Sequence, residues 1–272
     1  FIDLFAGCGG LSLGLLKAGW EGILAIEKEP NAFETLRHNL IDTKGKYQFN
    51  WFSKLPITPL SIEELVNNYN NQLRSLRSNV DIIVGGPPCQ GFSMAGRRDP
   101  NDKRNSMFYQ YLKVVDIIRP QMILLENVTG FNMSFSESND SIGYKAAEFL
   151  REGLRNLGYY VEWNSIIKAK DCGVPQTRPR FFQFGILKKH FKKGKNPFEF
   201  IETVSSALID KKGLKKSVTC KEALSDLELS KNDTVDWTGY QKGFKKLKYS
   251  NPLTEYQRYM NRDMKNKNLN SL

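Results

Sequence analysis

The amino-acid sequence predicts an α/β fold built on a doubly wound, mostly parallel sheet. Two observations carry this prediction: short β-branched apolar runs end at glycine or acidic residues, and segments with apolar residues at helical spacing follow them. The two kinds of segment alternate from residue 1 to residue 187, as in domains that cover a parallel sheet with helices on both faces. Such sheets bind ligands at the carboxyl ends of their strands, so the turns after the strands are the places to search for a site.

The first such turn follows a predicted strand over residues 1–5. It contains the glycine-rich stretch 7–10 and leads into a predicted helix over 11–18, whose first backbone N–H groups can face a ligand. The glycine spacing is not G-x-G-x-x-G, so a dinucleotide is not the expected ligand. The second predicted strand, 23–26, ends at Glu27, which is either a solvated glutamate or an acceptor for ribose hydroxyls. Together the two features predict an adenosine-containing cofactor.

A candidate nucleophile follows the next predicted strand, over residues 80–84. Two glycines and two prolines lead from this strand to Cys89; the glycines allow close approach of a bound molecule and the prolines stiffen the turn. A small buried hydrophobe at a strand end is the alternative for an isolated cysteine. Residues 93–105 are polar and lack apolar periodicity, so we predict a long functional loop there.

A candidate acid follows the strand predicted over residues 122–125, which is preceded by a predicted helix over 107–118. Glu126 ends this strand, and because parallel strands end at one edge of a sheet, it is expected beside Cys89. An acid and a salt-bridged structural glutamate are the two interpretations of this residue. Further upstream, Ser61 and Glu64 predict a capping box and a helix over 62–73.

Two arginines lie in the last predicted αβ segment. A helix is predicted over residues 144–157 and strands over 159–169 and 180–187, with a turn-rich connection between the strands. Arg178 and Arg180 alternate at the end of this connection and would lie on one side of an extended segment. Such a pair suits an anion or a carbonyl oxygen.

The composition narrows the class of partner. The 272-residue chain has a formal net charge of +11, which favours a polyanion such as nucleic acid. Its four cysteines are scattered, so neither a metal site nor a disulfide framework is predicted and a reducing cytoplasm is expected. We predict neither a membrane span nor a signal peptide. Because residue 1 is not methionine, we expect the chain to begin inside a longer sequence.

Four sequence motifs resemble the signature motifs of the cytosine-5 DNA methyltransferases of bacterial restriction-modification systems, and they occur in the same order along the chain as in that family. They are spread over roughly residues 1–187, and as a set they are highly specific: Asp3-Leu4-Phe5-Ala6-Gly7-Cys8-Gly9-Gly10, Gly86-Pro87-Pro88-Cys89-Gln90-Gly91-Phe92-Ser93, Glu126-Asn127-Val128 and Gln176-Thr177-Arg178-Pro179-Arg180.

The resemblance implies a class I S-adenosylmethionine-dependent methyltransferase fold, S-adenosylmethionine as cofactor with S-adenosylhomocysteine as product, and no metal. It implies Cys89 as the nucleophile that adds to C6 of cytosine, and Glu126, Arg178 and Arg180 as further catalytic residues that contact the base. It also implies a set of cofactor-binding residues: Phe5, Ala6, Gly7, Cys8, Gly9, Gly10, Glu27, Lys28, Gly86, Pro88 and Met107.

The implied substrate is a cytosine flipped out of double-stranded DNA, since the chemistry cannot reach a stacked base. We expect the loop over 93–105 to close over DNA, with contacts from Gln90, Ser93, Arg97, Arg98 and Arg104. A tRNA methyltransferase of the same chemistry is one alternative, although the tripeptide of Cys, Phe and Thr usual in such enzymes is absent. A catalytically inactive regulatory homologue is the other. A cytoplasmic, nucleoid-associated bacterial protein is expected.

The carboxyl-terminal third departs from the family pattern. Lysines cluster there while long apolar runs stop, so we divide the chain into a catalytic and cofactor-binding domain, 1–188, and a basic region, 189–272, that leads into a target-recognition domain. The family's Asp-Ile pair near adenine and its late glycine-asparagine motif have no match. We therefore expect an incomplete recognition region, through truncation, through disorder of the remainder, or through a complementary chain that carries the missing motifs.

Overall fold

The fold was taken from a computed structural model, which describes residues 1–88, 106–132, 146–192, 194–236, 245–248 and 251–262. The chain divides into two compact units. The first comprises Phe1–Ile166 and Arg180–Lys195, and the second comprises Ile167–Pro179 and Asn196–Leu272. The predicted functional division at residues 188 and 189 stays a prediction.

The main sheet has six strands, and the sequence patterns placed all six to within a few residues. In chain order they are β1 (Ile2–Leu4), β2 (Leu24–Ile26), β3 (Ile82–Gly85), β4 (Met122–Val128), β5 (Tyr159–Lys168) and β6 (Pro179–Leu187). Their spatial order is β2-β1-β3-β4-β6-β5. Strands β1 to β4 pair in parallel with one another, and β6 runs antiparallel to β4. The predicted doubly wound, mostly parallel α/β sheet is thereby confirmed.

Helices follow the strands as expected from the apolar spacing. They are α1 (Gly10–Lys17), α2 (Pro30–Arg37), α3 (Ile62–Asn68), α4 (Asn70–Ser75), α5 (Ser106–Ile118) and α6 (Ala146–Asn156). The predicted capping box of Ser61 and Glu64 starts α3, and Glu29 caps α2 by accepting from the backbone N–H of Ala32. The helix predicted over 62–73 is interrupted at Tyr69, whose backbone is not helical.

Two features of the first unit were not predicted. Helix α2 continues as a π-helical turn, His38–Asp42. Residues 47–60 contain no assigned strand, although Asn50 and Phe52 donate backbone hydrogen bonds to the Gly22 and Ile23 carbonyls beside β2. This segment then returns to the end of β2, where the Leu60 N–H donates to the Glu27 carbonyl over 2.8 Å.

The sheet is buried on both faces, because alternate residues of its strands pack into two different apolar clusters. Ile2 and Ile83 belong to a cluster that includes the α5 residues Tyr111 and Val114. Ala25, Ile82 and Val84 belong to a second cluster that includes Leu16 of α1 and Leu36 of α2. Burial on both faces explains why β2 and β3 are apolar throughout, without a polar alternation. The carboxyl ends of the strands are thus held on a rigid support.

The second unit contains three helices and a two-stranded ribbon in its described part. These are α7 (Ile201–Lys211), α8 (Cys220–Leu224), β7 (Asp233–Asp236), β8 (Lys245–Lys248) and α9 (Glu255–Asn261). The ribbon is antiparallel and pairs aspartates with lysines at both ends of its register. Helices α8 and α9 start with capping boxes at Thr219 and Thr254. No helix in the described part of the chain is long and apolar enough to cross a membrane.

Candidate active site

The glycine turn after β1 is joined to the end of β2 by one carboxylate. Glu27 Oε2 accepts from the Gly7 N–H over 2.9 Å, and Glu27 Oε1 accepts from the Glu29 N–H over 2.8 Å. Phe5 and Gly7 have left-handed backbone conformations, with φ of 62° and 56°, so the chain reverses sharply as it leaves the strand. Glu27 therefore orients the turn, and its remaining lone pairs stay available to hydroxyl donors.

The turn also shows why its second glycine, Gly9, is required. Gly9 has φ of 86° and caps the amino terminus of α1, and a Cβ at this position would lie 2.8 Å from Leu40 Cδ1. Leu40 belongs to the π-helical turn, so this unusual helix end packs directly beneath the glycine turn. Cys8 and Gly10 are exposed above it, as is Lys28 after β2. A backbone cradle with a carboxylate at its side suits an adenosine-containing cofactor.

A buried carboxyl group lies under the same turn and was not selected by the sequence patterns. Asp3, in the middle of β1, is 1% exposed and accepts a hydrogen bond from Ser12 Oγ in the first turns of α1, over 2.5 Å. Burial raises the pKa of Asp3 to about 7, with the Ser12 hydrogen bonds opposing this shift and the charge of Glu27 adding to it. A charged residue inside an otherwise apolar strand was the available signal in the sequence.

The strand that leads to Cys89 approaches its neighbours so closely that only glycine fits. A Cβ on Gly85 would lie 2.1 Å from the Leu4 carbonyl oxygen of β1. A Cβ on Gly86 would lie 2.9 Å from both the carbonyl oxygen and Oε2 of Glu126. Glu126 therefore lies beside the glycine-proline turn, as predicted, and the structure describes this turn as far as Pro88. Pro88 is half-buried.

Asn127 ties the two strand ends together. Its Nδ2 donates to the Pro87 carbonyl over 2.8 Å, and its Oδ1 accepts from the Val128 N–H over 2.9 Å. The side chain is buried, with 6% exposure, so the hydrogen bond to Pro87 is shielded from water. The sequence patterns missed this role, although the position directly after Glu126 at a strand end was a usable signal.

Glu126 and Arg180 form an ion pair at the same edge. Arg180 Nε lies 2.6 Å from Glu126 Oε1, and both side chains are about one-third exposed, at 30% and 31%. The contact arises because β6 runs antiparallel to β4, which sets Arg180 opposite Val128 at the strand ends. The geometry brings together a carboxylate and a guanidinium that remain accessible to a planar polar ligand.

The other predicted site residues are placed less fully. Arg178 is exposed in the second unit, where its backbone N–H donates to Gln176 Oε1, and Met107 is half-buried in the first turn of α5. Outside the described residues lie Cys89, Gln90, Ser93, Arg97, Arg98 and Arg104, so their roles stay predictions. Within the described residues, no group of three or more His, Cys, Asp or Glu side chains could hold a metal ion.

Comparison with known proteins identifies the family. Residues 1–271 match the model of the C-5 cytosine-specific DNA methylase family. The type II methyltransferase M.DdeI of Desulfomicrobium norvegicum is 36% identical over 227 residues, which are 83% of this chain and 48% of that protein. The type II methyltransferase M1.HphI of Haemophilus parahaemolyticus is 37% identical over 188 residues, 68% of this chain and 45% of that protein. The chain thus spans about half the length of these relatives.

Solved structures agree with this assignment. A crystal structure described as a DNA modification methyltransferase encoded within an E. coli prophage superposes with a TM-score of 0.60 and 26% identity, covering 84% of this chain and 55% of that one. The S. pombe Dnmt2 methyltransferase gives a TM-score of 0.51 and 27% identity, covering 74% of this chain and 55% of that one. With the strand-end carboxylate, the arginine and the glycine turn in the positions found above, the chain belongs to the C-5 cytosine-specific DNA methylase family.

Proposed function

We propose that the protein to which this chain belongs transfers a methyl group from S-adenosylmethionine to C5 of a cytosine in double-stranded DNA. The observation that carries the proposal is the Glu126–Arg180 ion pair of 2.6 Å, at the sheet edge where Asn127 binds the Pro87 carbonyl. Family membership supports the reaction class, and the names of the relatives support a type II modification enzyme.

The cofactor is assigned to the cradle formed by the glycine turn and Glu27. Backbone groups of 5–10 would hold its methionine part, Glu27 its ribose, and Lys28, Gly86, Pro88 and Met107 would complete the site. The fit rests on the left-handed turn at Phe5 and Gly7 and on the Glu27 carboxylate that braces it. When bound, S-adenosylmethionine supplies an electrophilic methyl group on a sulfonium centre.

Cys89 is the proposed nucleophile. Its thiolate forms a bond to C6 of the cytosine, the electron pair of the C5–C6 double bond shifts to C4–C5, and that of C4–N3 moves onto N3, which gives an enamine with a nucleophilic C5. After C5 has been methylated, loss of its proton and cleavage of the C6–sulfur bond restore the aromatic ring and the thiolate. Nearby positive charge favours the reactive thiolate over the thiol, whose ordinary pKa is about 8.5.

Glu126 and Arg180 complete the proposed mechanism. Glu126 holds a proton at N3 and accepts from the exocyclic amine, which makes the ring a better electrophile at C6. Arg180 donates to O2 and stabilises the charge that develops on the ring, with Arg178 in support. Because the two side chains bind each other in the present structure, the base would insert between their polar atoms and exchange one charge-assisted contact for two.

The remaining parts of the proposal follow from the substrate. The cytosine must leave the stack, at roughly a few kcal/mol, before it can reach the site. The proposed DNA contacts are Gln90 and, in the loop over 93–105, Ser93, Arg97, Arg98 and Arg104. The comparisons give no support for a complementary chain. The cytoplasmic, nucleoid-associated location stays a prediction.

Transfer of tritium from labelled S-adenosylmethionine to duplex DNA and to tRNA tests the proposal. We expect DNA to be labelled at cytosine C5 and tRNA to remain unlabelled, and we expect Cys89→Ala to abolish labelling while cofactor binding persists. Labelling of tRNA alone, or of neither nucleic acid by the intact protein, would contradict the proposed function. Persistent labelling by Cys89→Ala would contradict the covalent mechanism.

A further inference from the structure

Helix α9 of the second unit presents a tyrosine between two cations. Lys212 Nζ lies 5.1 Å from the centroid of the Tyr259 ring, and the guanidinium carbon of Arg262 lies 4.0 Å from the same centroid. Lys212 directly follows α7 and Arg262 directly follows α9, so the ends of two helices meet at this ring. Both cations are exposed, and the tyrosine is partly exposed.

The phenol of Tyr259 keeps a donor beside these two cations. Lysine and arginine only donate, so neither takes up the Tyr259 O–H, and the interaction with Lys212, followed by that with Arg262, lowers the pKa of the phenol. The O–H can therefore donate to a third group. One hydroxyl donor flanked by two positive charges is complementary to an anion with several acceptor oxygens.

The contacts of the neighbouring charged residues favour a phosphate as the anion. Lys215 and Lys216 are engaged with Glu222 and Glu202, at 2.8 and 3.6 Å, whereas Lys212 and Arg262 contact the tyrosine. Arg258 is exposed one helical turn before Arg262, on the same helix. The Arg262 guanidinium covers one face of the Tyr259 ring, so the ring is less suited to stacking on a nucleobase than its hydroxyl is to binding a phosphate.

We propose that Tyr259, Lys212 and Arg262 bind a phosphodiester group of the DNA backbone. The proposal rests on DNA as the substrate, as argued above. A backbone contact positions the duplex without reading its sequence, so it contributes equally to cognate and unrelated DNA. The cluster would thereby supply general affinity in the basic part of the chain, separate from the contacts proposed for the loop over 93–105.

The test measures affinity of the intact protein for cognate and unrelated duplexes by fluorescence anisotropy over a salt series. Tyr259→Phe keeps the ring and both cations but removes the hydroxyl, so we expect binding to weaken roughly threefold to tenfold with an unchanged salt slope. The double variant Lys212→Gln with Arg262→Gln should lower the slope of log K against log salt by about 0.9, the value for one phosphate contact. Both effects should be the same on the two duplexes.

Matched controls come from the first unit. Tyr47 also lies near two lysines, with Lys17 and Lys46 Nζ at 5.8 and 5.4 Å from its ring centroid, so Tyr47→Phe controls for hydroxyl loss at a cationic ring. Lys189→Gln controls for the loss of an exposed charge. Neither control should change the affinity by more than twofold. Circular dichroism and thermal melting establish that the Tyr259→Phe protein is folded.

Several outcomes would overturn the inference while leaving the proposed function intact. Unchanged affinity and slope in the Tyr259 and double variants, with normal DNA methylation, would show that the cluster only packs α9. A loss confined to the cognate duplex would indicate base recognition instead. If inorganic phosphate perturbs the Tyr259 ring signals in NMR spectra but duplex DNA does not, the cluster binds free phosphate and the DNA assignment is wrong. Failure of the unaltered protein to methylate DNA would instead remove the proposed function.

Discussion

Asn127 contributes to the site through a single amide group that connects two motifs distant in sequence. Its donor satisfies the Pro87 carbonyl and its acceptor satisfies the Val128 N–H, so both polar ends of the side chain are used. The pair of hydrogen bonds fixes the position of the Pro87 carbonyl, in the turn before Cys89, relative to Glu126. Asn127 is therefore a positioning residue in the proposed mechanism, because it acts through the Pro87 carbonyl.

Replacing Asn127 should reduce turnover more than cofactor binding. Asn127→Ala leaves the Pro87 carbonyl without its donor, at a cost of about 1–3 kcal/mol in stability, and lets the turn shift. A displacement of about 1 Å costs roughly 100-fold in rate, so kcat for methylation should fall by that order while KM for the cofactor stays within threefold. Asn127→Asp, which keeps the acceptor but loses the donor, should behave similarly. Equal loss in kcat and in cofactor affinity would indicate general unfolding of the site.

Asp3 should make the stability of the protein depend on pH. Its pKa is about 7 in the folded state against 3.8 for the free side chain, so the protonated form is favoured by folding. The stability from this group is fully present below pH 3.8 and is lost as the pH rises to about 7, with a total on the order of 4 kcal/mol.

Urea unfolding of Asp3→Asn across this pH range measures the effect. The variant cannot ionise, so its stability relative to the unaltered protein should increase from pH 4 to pH 7 and then level off. Asp81→Asn, at an exposed carboxylate, controls for the change in formal charge. A stability difference between Asp3→Asn and the unaltered protein that is independent of pH would contradict the assignment.

At the scale of elements, the sequence patterns located nearly all of the main sheet and its helices. Period-2 and period-3.6 apolar patterns depend on which faces are buried, and burial of both faces made β2 and β3 apolar throughout. The patterns failed where an element depends on its neighbours. The π-helical turn at 38–42 forms against the glycine turn, and the segment 47–60 is held by backbone hydrogen bonds to residues that flank β2, which no side-chain pattern reports.

Because the chain after β3 passes so close to β4, we predict that Gly86→Ala lowers both the stability and the turnover of the protein. The added methyl would lie 2.9 Å from the Glu126 carbonyl oxygen, which the β4 backbone holds in place, and 2.9 Å from Oε2 of the Glu126 side chain. We expect a loss of about 1–3 kcal/mol in stability and a fall in turnover of at least tenfold. Gly14→Ala in α1 is the matched control, since no atom lies within 4 Å of the added methyl. It should stabilise the protein by about 0.5–1 kcal/mol. Equal stability changes in the two variants would contradict the predicted clash.

At the scale of the whole molecule, cofactor binding should stabilise the fold. At a concentration 100 times its Kd, a ligand adds about 2.7 kcal/mol to the free energy of unfolding, which corresponds to roughly 5–10 °C in Tm for a domain of this size. We expect S-adenosylmethionine to produce this shift in a thermal melt of the intact protein. Glu27→Gln should reduce the shift, because it weakens both the hydrogen bond from the Gly7 N–H and the proposed ribose contact. Glu34→Gln, at an exposed glutamate on α2, should leave it unchanged. A full shift in Glu27→Gln would remove Glu27 from the cofactor site.

Sequence patterns alone were sufficient for the fold class, for the order of strands and helices along the chain and for the four motifs at strand ends. These features depend on local periodicity and on the types of residue that a reaction requires, which are both written along the chain. Only the tertiary structure showed that Arg180 binds Glu126, that Asn127 binds the Pro87 carbonyl and that Asp3 is buried against Ser12. Each of these contacts joins residues on different elements, and the direction of β6 and the register between strands determine which residues meet.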